Sequence, residues 1–351
     1  MKQRIEWVDI LKGLAIFLVV FGHVELYSIG HFNGFFNRLQ DVFCMPLFFF
    51  LSGLFAKPQN DIKESFSCIK KKFIQLIIPF VVCGSSYLFI MSNKPWWALF
   101  WYPHGQGHAG YWFLLVLFEI YLLFTLCQVF TRRMTQEISG KTFLIVALII
   151  ESSLALIYIL CQKGIVIQEP WYTITSFVRL YYNFPFFIMG YLFMRNHNKI
   201  TILFNKRVYN IASVIFIILY VISNKYHINT LPFKWILAFL AVITIVSLCH
   251  SMEYRISLCK NNCKRCIEYI GRHTMEIYVL HFFFIPRNMN YLKDIIAPNN
   301  LIDTNIIIEL IINSCIAGAI IFVTLGCAFL ISENVYLKQL LFGKTINRSP
   351  I

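Results

Sequence analysis

The sequence predicts an all-α protein: a polytopic transmembrane helix bundle of about ten spans, with both termini in the cytoplasm. Three observations predict it. The 351 residues are 58% hydrophobic and only 14% charged, too little polar side chain to cover a soluble surface. Apolar runs recur along the chain, each long enough to cross a hydrocarbon core about 30 Å thick. The basic residues are also sorted by loop. With spans at 8–27, 39–56, 73–92, 111–130, 142–162, 175–194, 208–223, 235–252, 273–288 and 304–331, 22 of the 31 Lys and Arg lie on the side of the termini. Only 6 lie on the other side, and Lys12, Arg179 and Arg287 fall inside spans. That is the positive-inside bias. The net charge of +14 is therefore a topology signal and needs no nucleic-acid partner.

The first span runs from Val8 to Tyr27. It carries ionisable residues within it, and Glu25-Leu-Tyr-Ser-Ile-Gly is no small-residue cleavage site, so it is not read as a signal peptide. Residues 1–351 are expected to form a single integral-membrane domain. The second span contains Met45-Pro-Leu-Phe-Phe-Phe-Leu-Ser52-Gly53. The third follows a basic loop ending in Lys70-Lys71-Lys72, which suits a positive-inside anchor or a phosphate-binding edge. An outer loop, 93–110, precedes the fourth span. Its Trp96, Trp97, Trp101 and Tyr102 suit an interfacial belt or a platform for sugar rings, and His104, Gly105, Gly107, His108 and Gly110 suit a mobile lid. The remaining six spans are apolar runs of membrane length.

Eleven cysteines do not form a disulfide framework here. Cys44, Cys83, Cys127, Cys249, Cys315 and Cys327 fall in spans, where Cys acts as a small hydrophobe. Cys259, Cys263 and Cys266 fall in a loop assigned to the reducing cytoplasm. Their C-x3-C-x2-C spacing is found in some iron–sulfur sites, but a fourth ligand is missing and His250 and His273 are irregularly placed. No metal is expected.

The first span is the most informative segment. Ionisable groups at membrane depth cost about 2.5–3.5 kcal/mol each on insertion scales, which marks them as functional by default. Asp9, Lys12 and His23 share this helix. Eleven residues separate Lys12 from His23, which places them within roughly 20° on one face and about 16 Å apart. Asp9 lies one turn from Lys12 and can pair with it. Asp9 is about 21 Å from His23 and is too distant to orient it as a triad acid would. The helix therefore has two stations, a basic one for an anion and a histidine deeper in the membrane. Ser52, Trp112, Glu119, Arg179, Arg287, Glu276 and His281 are further candidates for a cavity lining, with Glu119 on the face of Trp112.

These residues together resemble a known family. Arg4-Ile-Glu-Trp-Val-Asp9-Ile-Leu-Lys12-Gly-Leu-Ala-Ile with His23 resembles the opening signature of the acyltransferase-3 family of integral-membrane O-acyltransferases. Met45 to Gly53, the basic run to Lys72 with Pro79, and Tyr111-Trp112-Phe113-Leu114 resemble later elements. So do Phe184-Pro-Phe-Phe-Ile-Met-Gly190 and Ile270-Gly271-Arg-His-Thr-Met-Glu276-Ile-Tyr278-Val-Leu-His281. The resemblance implies transfer of an acyl group, commonly acetyl, from cytoplasmic acyl-CoA to a hydroxyl of a cell-surface glycan or its lipid-linked precursor. It implies acyl-CoA (acetyl-CoA) as a co-substrate and no permanently bound cofactor. The bilayer of the plasma (inner) membrane is the setting, with glycan-assembly proteins as possible partners.

On this sequence His23 matches the essential histidine, as base or acyl carrier. Lys12 stands where the family usually has Arg, so it keeps the charge and loses the planar fork. Asp9, Lys12, Lys70, Lys71 and Lys72 are the expected donor-binding set. Two other classes stay open: a transporter or flippase for acyl groups or glycans, for which no inverted repeat is seen, and a relay subunit serving a separate extracellular transferase.

Overall fold

The computed structural model describes residues 5–30, 35–100, 108–135, 140–195, 206–228, 230–252, 261–289, 291–296 and 306–344. The protein is 87% helix and contains no strands among these residues. Its helices are α1 (Glu6–Val24), α2 (Phe35–Leu54), α3 (Ile62–Lys72), α4 (Ile78–Ser92), α5 (Trp112–Thr135), α6 (Gly140–Gln162), α7 (Trp171–Ile174) and α8 (Phe177–Arg195). Then follow α9 (Lys206–Tyr226), α10 (Leu231–Ser251), α11 (Asn262–Arg272), α12 (Thr274–Phe284), α13 (Tyr291–Ile296), α14 (Ile306–Ser332) and α15 (Val335–Phe342). Trp101, Tyr102, His104, Gly105, Gly107 and Cys259 lie outside the described residues.

Among the described residues, seven helical stretches are long and apolar enough to cross a membrane: Glu6–Ile29, Ile62–Ser92, Trp112–Thr135, Gly140–Gln162, Lys206–Tyr226, Leu231–Ser251 and Ile306–Ser332. The other three expected spans are also helical, at α2, α8 and α12. They differ for visible reasons. Asn37, Arg38, Gln40 and Asp41 make the first turns of α2 polar, Arg179, Asn183 and Arg195 interrupt α8, and α12 has only 11 residues. The surface matches an integral membrane protein. Ile211, Val214, Ile217, Ile218 and Val221 on α9, and Phe322 on α14, are exposed. In water such a face would be an aggregation hazard, whereas lipid solvates it.

The chain packs as two compact units, Met1–Leu51 with Arg195–Ala328, and Ser52–Met194 with Phe329–Ile351. In the first, α1 is held by α11 at van der Waals limits. A Cβ at Gly271 would overlap the carbonyl oxygen of Asp9, and one at Gly13 would overlap that of Ile267. Glycine at both positions is what lets the backbones touch. Lys264 adds a bond to Glu6 at 2.8 Å, and Trp7 meets the His250 ring edge-on. Where α2 begins, Phe36 packs edge-on against Phe21 of α1, with ring centroids 5.8 Å apart.

In the second unit, α3 starts with a side-chain cap. Asp61 accepts from the Glu64 amide at 2.6 Å, which satisfies one helix-end donor, while Glu64 accepts from the Asn60 amide just before the cap at 2.7 Å. The chain before α3 is clamped to α5. The Gln59 amide donates to Gln128 (2.6 Å), Gln128 Nε2 donates to the Lys57 carbonyl (3.3 Å), and Arg132 donates to the Gln59 carbonyl (3.0 Å) and to Ser65 (3.2 Å). A core of Phe124, Phe143, Phe187 and Tyr191 joins α5, α6 and α8 through edge-on ring contacts, a preferred aromatic geometry.

Candidate active site

Within the first unit the structure joins two residues that the sequence separates by 258 positions. His23 Nδ1 lies 2.9 Å from His281 Nε2. Their ring planes are 3° apart with centroids 5.1 Å apart. The centroid separation exceeds the nitrogen–nitrogen distance by about one ring diameter, so the rings meet edge to edge in a common plane. That is the geometry of a linear N–H···N bond.

The direction of this bond follows from the next link. His281 Nδ1 is 2.9 Å from the carbonyl oxygen of Ile277, one turn back on α12. A carbonyl only accepts, so Nδ1 of His281 carries the hydrogen. The neutral His281 ring then offers its Nε2 lone pair, and His23 Nδ1 must donate to it. The remaining nitrogen, Nε2 of His23, is left with a lone pair. Among the described residues no group is bonded to it. His281 is wholly buried, whereas His23 keeps part of its surface open. Phe282 closes one side, 4.8 Å from the His23 ring, and Tyr27 another at 5.7 Å.

Local sequence sets this up. His23 is the next-to-last residue of α1, and Glu25–Ile29 continues the helix as a π-helical turn, a wide form that occurs often at functional sites. Lys12 and Asp9 lie lower on α1, where the rise of an α-helix puts Lys12 about 16 Å from His23. Glu276 is buried on α12, one turn and a half before His281.

Arg287 also lies in the first unit, just after α12, and the remaining candidates belong to the second unit. Lys70, Lys71 and Lys72 end α3; the first two are exposed, and Lys72 lies 4.3 Å over the Tyr121 ring. Arg179 on α8 lies 4.6 Å over the ring of Trp112 on α5, a cation–π pair. Two turns further along α5, Glu119 has one buried carboxylate oxygen that no described residue bonds. Ser52 precedes Gly53, where a Cβ would overlap the Phe187 carbonyl, so this Ser-Gly step lets α8 pass close by. His108 is buried too. Its Nδ1 is 2.7 Å from the Leu99 carbonyl, and burial pushes its pKa below the usual imidazole value.

Some of this was invisible in the sequence. The His23–His281 bond has no local signature. A buried polar group on α2, α14 and the π turn (Asn37, Gln40, Glu309, Asn313, Glu25 and Ser28) left one usable trace, Glu309 and Asn313 one turn apart in an apolar helix. Cys263 and Cys266 are exposed on α11.

A family model described as an acyltransferase domain matches residues 5–333. No curated protein and no solved structure matches the chain.

Proposed function

Since the chain is a membrane acyltransferase belonging to the acyltransferase-3 family, we propose that it transfers a short acyl group, such as acetyl, from cytoplasmic acyl-CoA to a hydroxyl of a cell-surface glycan or its lipid-linked precursor, with Nε2 of His23 as the base. The observation that carries this reading is the chain of bonds from His23 Nδ1 through His281 to the Ile277 carbonyl. It commits one proton and frees one lone pair.

The chemistry then runs in two steps. Nε2 takes the acceptor's hydroxyl proton as the oxygen attacks the thioester carbonyl, and the tetrahedral intermediate collapses by breaking the C–S bond. The departing thiolate takes the proton back from Nε2, giving CoA thiol and an ester. While protonated, the His23 ring donates to His281 as a cation, and such charge-assisted bonds are about twice as strong as neutral ones. His281 is thus a positioning residue and does not touch the substrate.

Lys12 is proposed to meet an anionic part of the donor at its own end of α1. The stretch of about 16 Å up to His23 suits an extended pantetheine arm. In the other unit Lys70, Lys71 and Lys72 supply cationic charge suited to phosphates. Trp112 with Arg179 forms a polar–aromatic face suited to a sugar or its anionic substituent, and Glu119 and Ser52 in the same unit, like Glu276 in the first, remain proposed substrate-facing residues. The plasma membrane is the proposed location, with both termini cytoplasmic.

The test is His23→Ala in membrane vesicles supplied with radiolabelled acetyl-CoA. Incorporation of label into glycan should fall about 10²–10⁴-fold, the usual contribution of a positioned base. Wild-type transfer by a folded variant would overturn the assignment. Movement of label across the membrane without ester formation would instead favour transport. Label bound to wild-type protein but absent from His23→Ala, with acceptor withheld, would identify an acyl-imidazole on the same Nε2.

A further inference from the structure

One cysteine-rich stretch, conspicuous in the sequence for its spacing, plays no part in the transfer chemistry. Among the described residues three cysteines are exposed, Cys263, Cys266 and Cys315. Cys315 lies on α14, within a membrane-length stretch. Cys263 and Cys266 lie together in Cys263-Lys264-Arg265-Cys266, in the first turns of α11. With Lys264, Arg265, Glu268 and Arg272 among its 11 residues, α11 is too polar to cross a bilayer. Its two exposed thiols are therefore open to soluble thiols and disulfides.

Their spacing brings them within bridging range. A Cα radius of about 2.3 Å and a rise of about 1.5 Å per residue put Cα atoms three positions apart at about 5 Å. Disulfides join Cα atoms about 4.4–6.8 Å apart, so the backbone is already placed. The Cβ atoms are not. One helical turn holds them about 5–6 Å apart, and a disulfide draws them to about 4 Å. The bridge can close only by tightening the turn that carries Lys264 and Arg265. Strained, exposed bonds of this kind are the readily reduced ones, suited to regulation more than to structure.

That turn also fastens the first helix. The Lys264 amide is capped by the Asn261 side chain at 2.8 Å, and Lys264 Nζ reaches Glu6 of α1 at 2.8 Å. Glu268 lies 3.5 Å from the same ammonium. Beyond Glu6 on α1 comes Asp9, whose carbonyl packs on Gly271, and then Lys12.

We propose that Cys263 and Cys266 form a reversible intramolecular disulfide, a site at which an oxidant loosens the grip of α11 on α1. The oxidant is a small soluble disulfide such as glutathione disulfide, whose carboxylates suit the exposed Arg265 and Arg272. One cysteine thiolate attacks a sulfur of that disulfide, forms a mixed disulfide and expels one glutathione thiolate. The second cysteine thiolate attacks the sulfur of the first, closes the bridge and expels the other glutathione. The two protons lost by the protein thiols end on the two released glutathiones, so one disulfide is reduced for each one formed. The bridge draws Lys264 off Glu6, and the segment from Glu6 to Lys12 loses one of its fixings. The effect on catalysis rests on the acyl-transfer reading; the bridge itself does not.

The test uses the full-length protein in nanodiscs, equilibrated in reduced or oxidised glutathione, quenched with acid and blocked with an alkylating agent. Peptide mass mapping should show Cys263 joined to Cys266 in oxidised buffer and both alkylated in reduced buffer, with full interconversion. Glutathione adducts alone, a bridge from either residue to Cys259, or thiols alkylated throughout overturn the pair. In the same samples the KM for acetyl-CoA should rise about threefold on oxidation, the size expected for loss of one half-exposed ion pair, and return with dithiothreitol. The thermal midpoint should fall on oxidation as well. Both shifts should vanish in Cys266→Ser. Shifts that persist in Cys266→Ser, or are missing from a bridged wild type, overturn the link to α1. A wild-type protein without transfer activity overturns the acyl-transfer reading, and mass mapping with the thermal midpoint then decides the bridge and its link by themselves.

Discussion

The clamp on α5 and the buried polar group of α2, α14 and the π turn are both enclosed, yet they are built on opposite plans. In the clamp, Gln128 uses both ends of its amide, on Gln59 and on the Lys57 carbonyl, and Arg132 reaches a backbone carbonyl and Ser65 at once. The segment before α3 is thereby fixed to α5. In the polar group no described residue bonds either end of the Asn313 amide or the Ser28 hydroxyl. A polar network that closes on itself rigidifies a fold. One that leaves an amide and a hydroxyl unbonded gives up that rigidity.

Substitutions should separate the two plans. The largest effect after loss of His23 itself is expected at His281→Leu, which leaves His23 Nδ1–H buried without an acceptor. A buried unsatisfied donor costs about 1–3 kcal/mol, so kcat should fall roughly 10–100-fold with KM values little changed, and His281→Gln should recover part of it. An equal fall for both variants, or a KM effect, would break the tautomer assignment.

Gly271→Ala comes next. Its Cβ would collide with the Asp9 carbonyl, and overpacking costs about 1–3 kcal/mol. Thermal stability in detergent, followed by size exclusion, should drop; an unchanged midpoint would mean that α1 and α11 yield freely. Arg132→Ala should also destabilise, by about 1–2 kcal/mol, but leave activity per folded molecule unchanged. A selective loss of kcat would place the clamp in the chemistry.

The smallest effect concerns His108. Burial holds its pKa below the usual value of about 6.5, so the folded state binds fewer protons there than the unfolded chain. Its contribution to stability is complete above that usual value and is lost as pH falls through it. The unfolding midpoint should be lower at pH 5 than at pH 8, and this difference should shrink in His108→Gln.

What the sequence made legible tracks how local each feature is. The first helix, its polar stations and the spacing from Lys12 to His23 depend only on helical rise and turn, and the structure keeps the helix intact across them. The apolar runs emerged as helices for the same reason. The three that fall short of membrane length or apolarity carry their own visible polar residues, as Arg38 and Asp41 do in α2. His281 was noticed as a polar residue in an apolar helix, but its role was not, because the bond to His23 closes across 258 residues. Asn313 was passed over entirely. One amide in a long apolar helix resembles any other until burial and missing partners are known.

The π turn after His23 has a consequence for anyone who edits this gene. A π turn holds one residue more than an α turn in the same length. Removing a single codon between Glu25 and Ile29 would therefore let the helix relax to ordinary winding, with the chain on either side kept in register. His23 and everything before it would keep their places, and only the side chains of the turn itself would be redistributed. In this turn a one-residue deletion is absorbed, whereas the same deletion within α1 would rotate all that follows by about 100°.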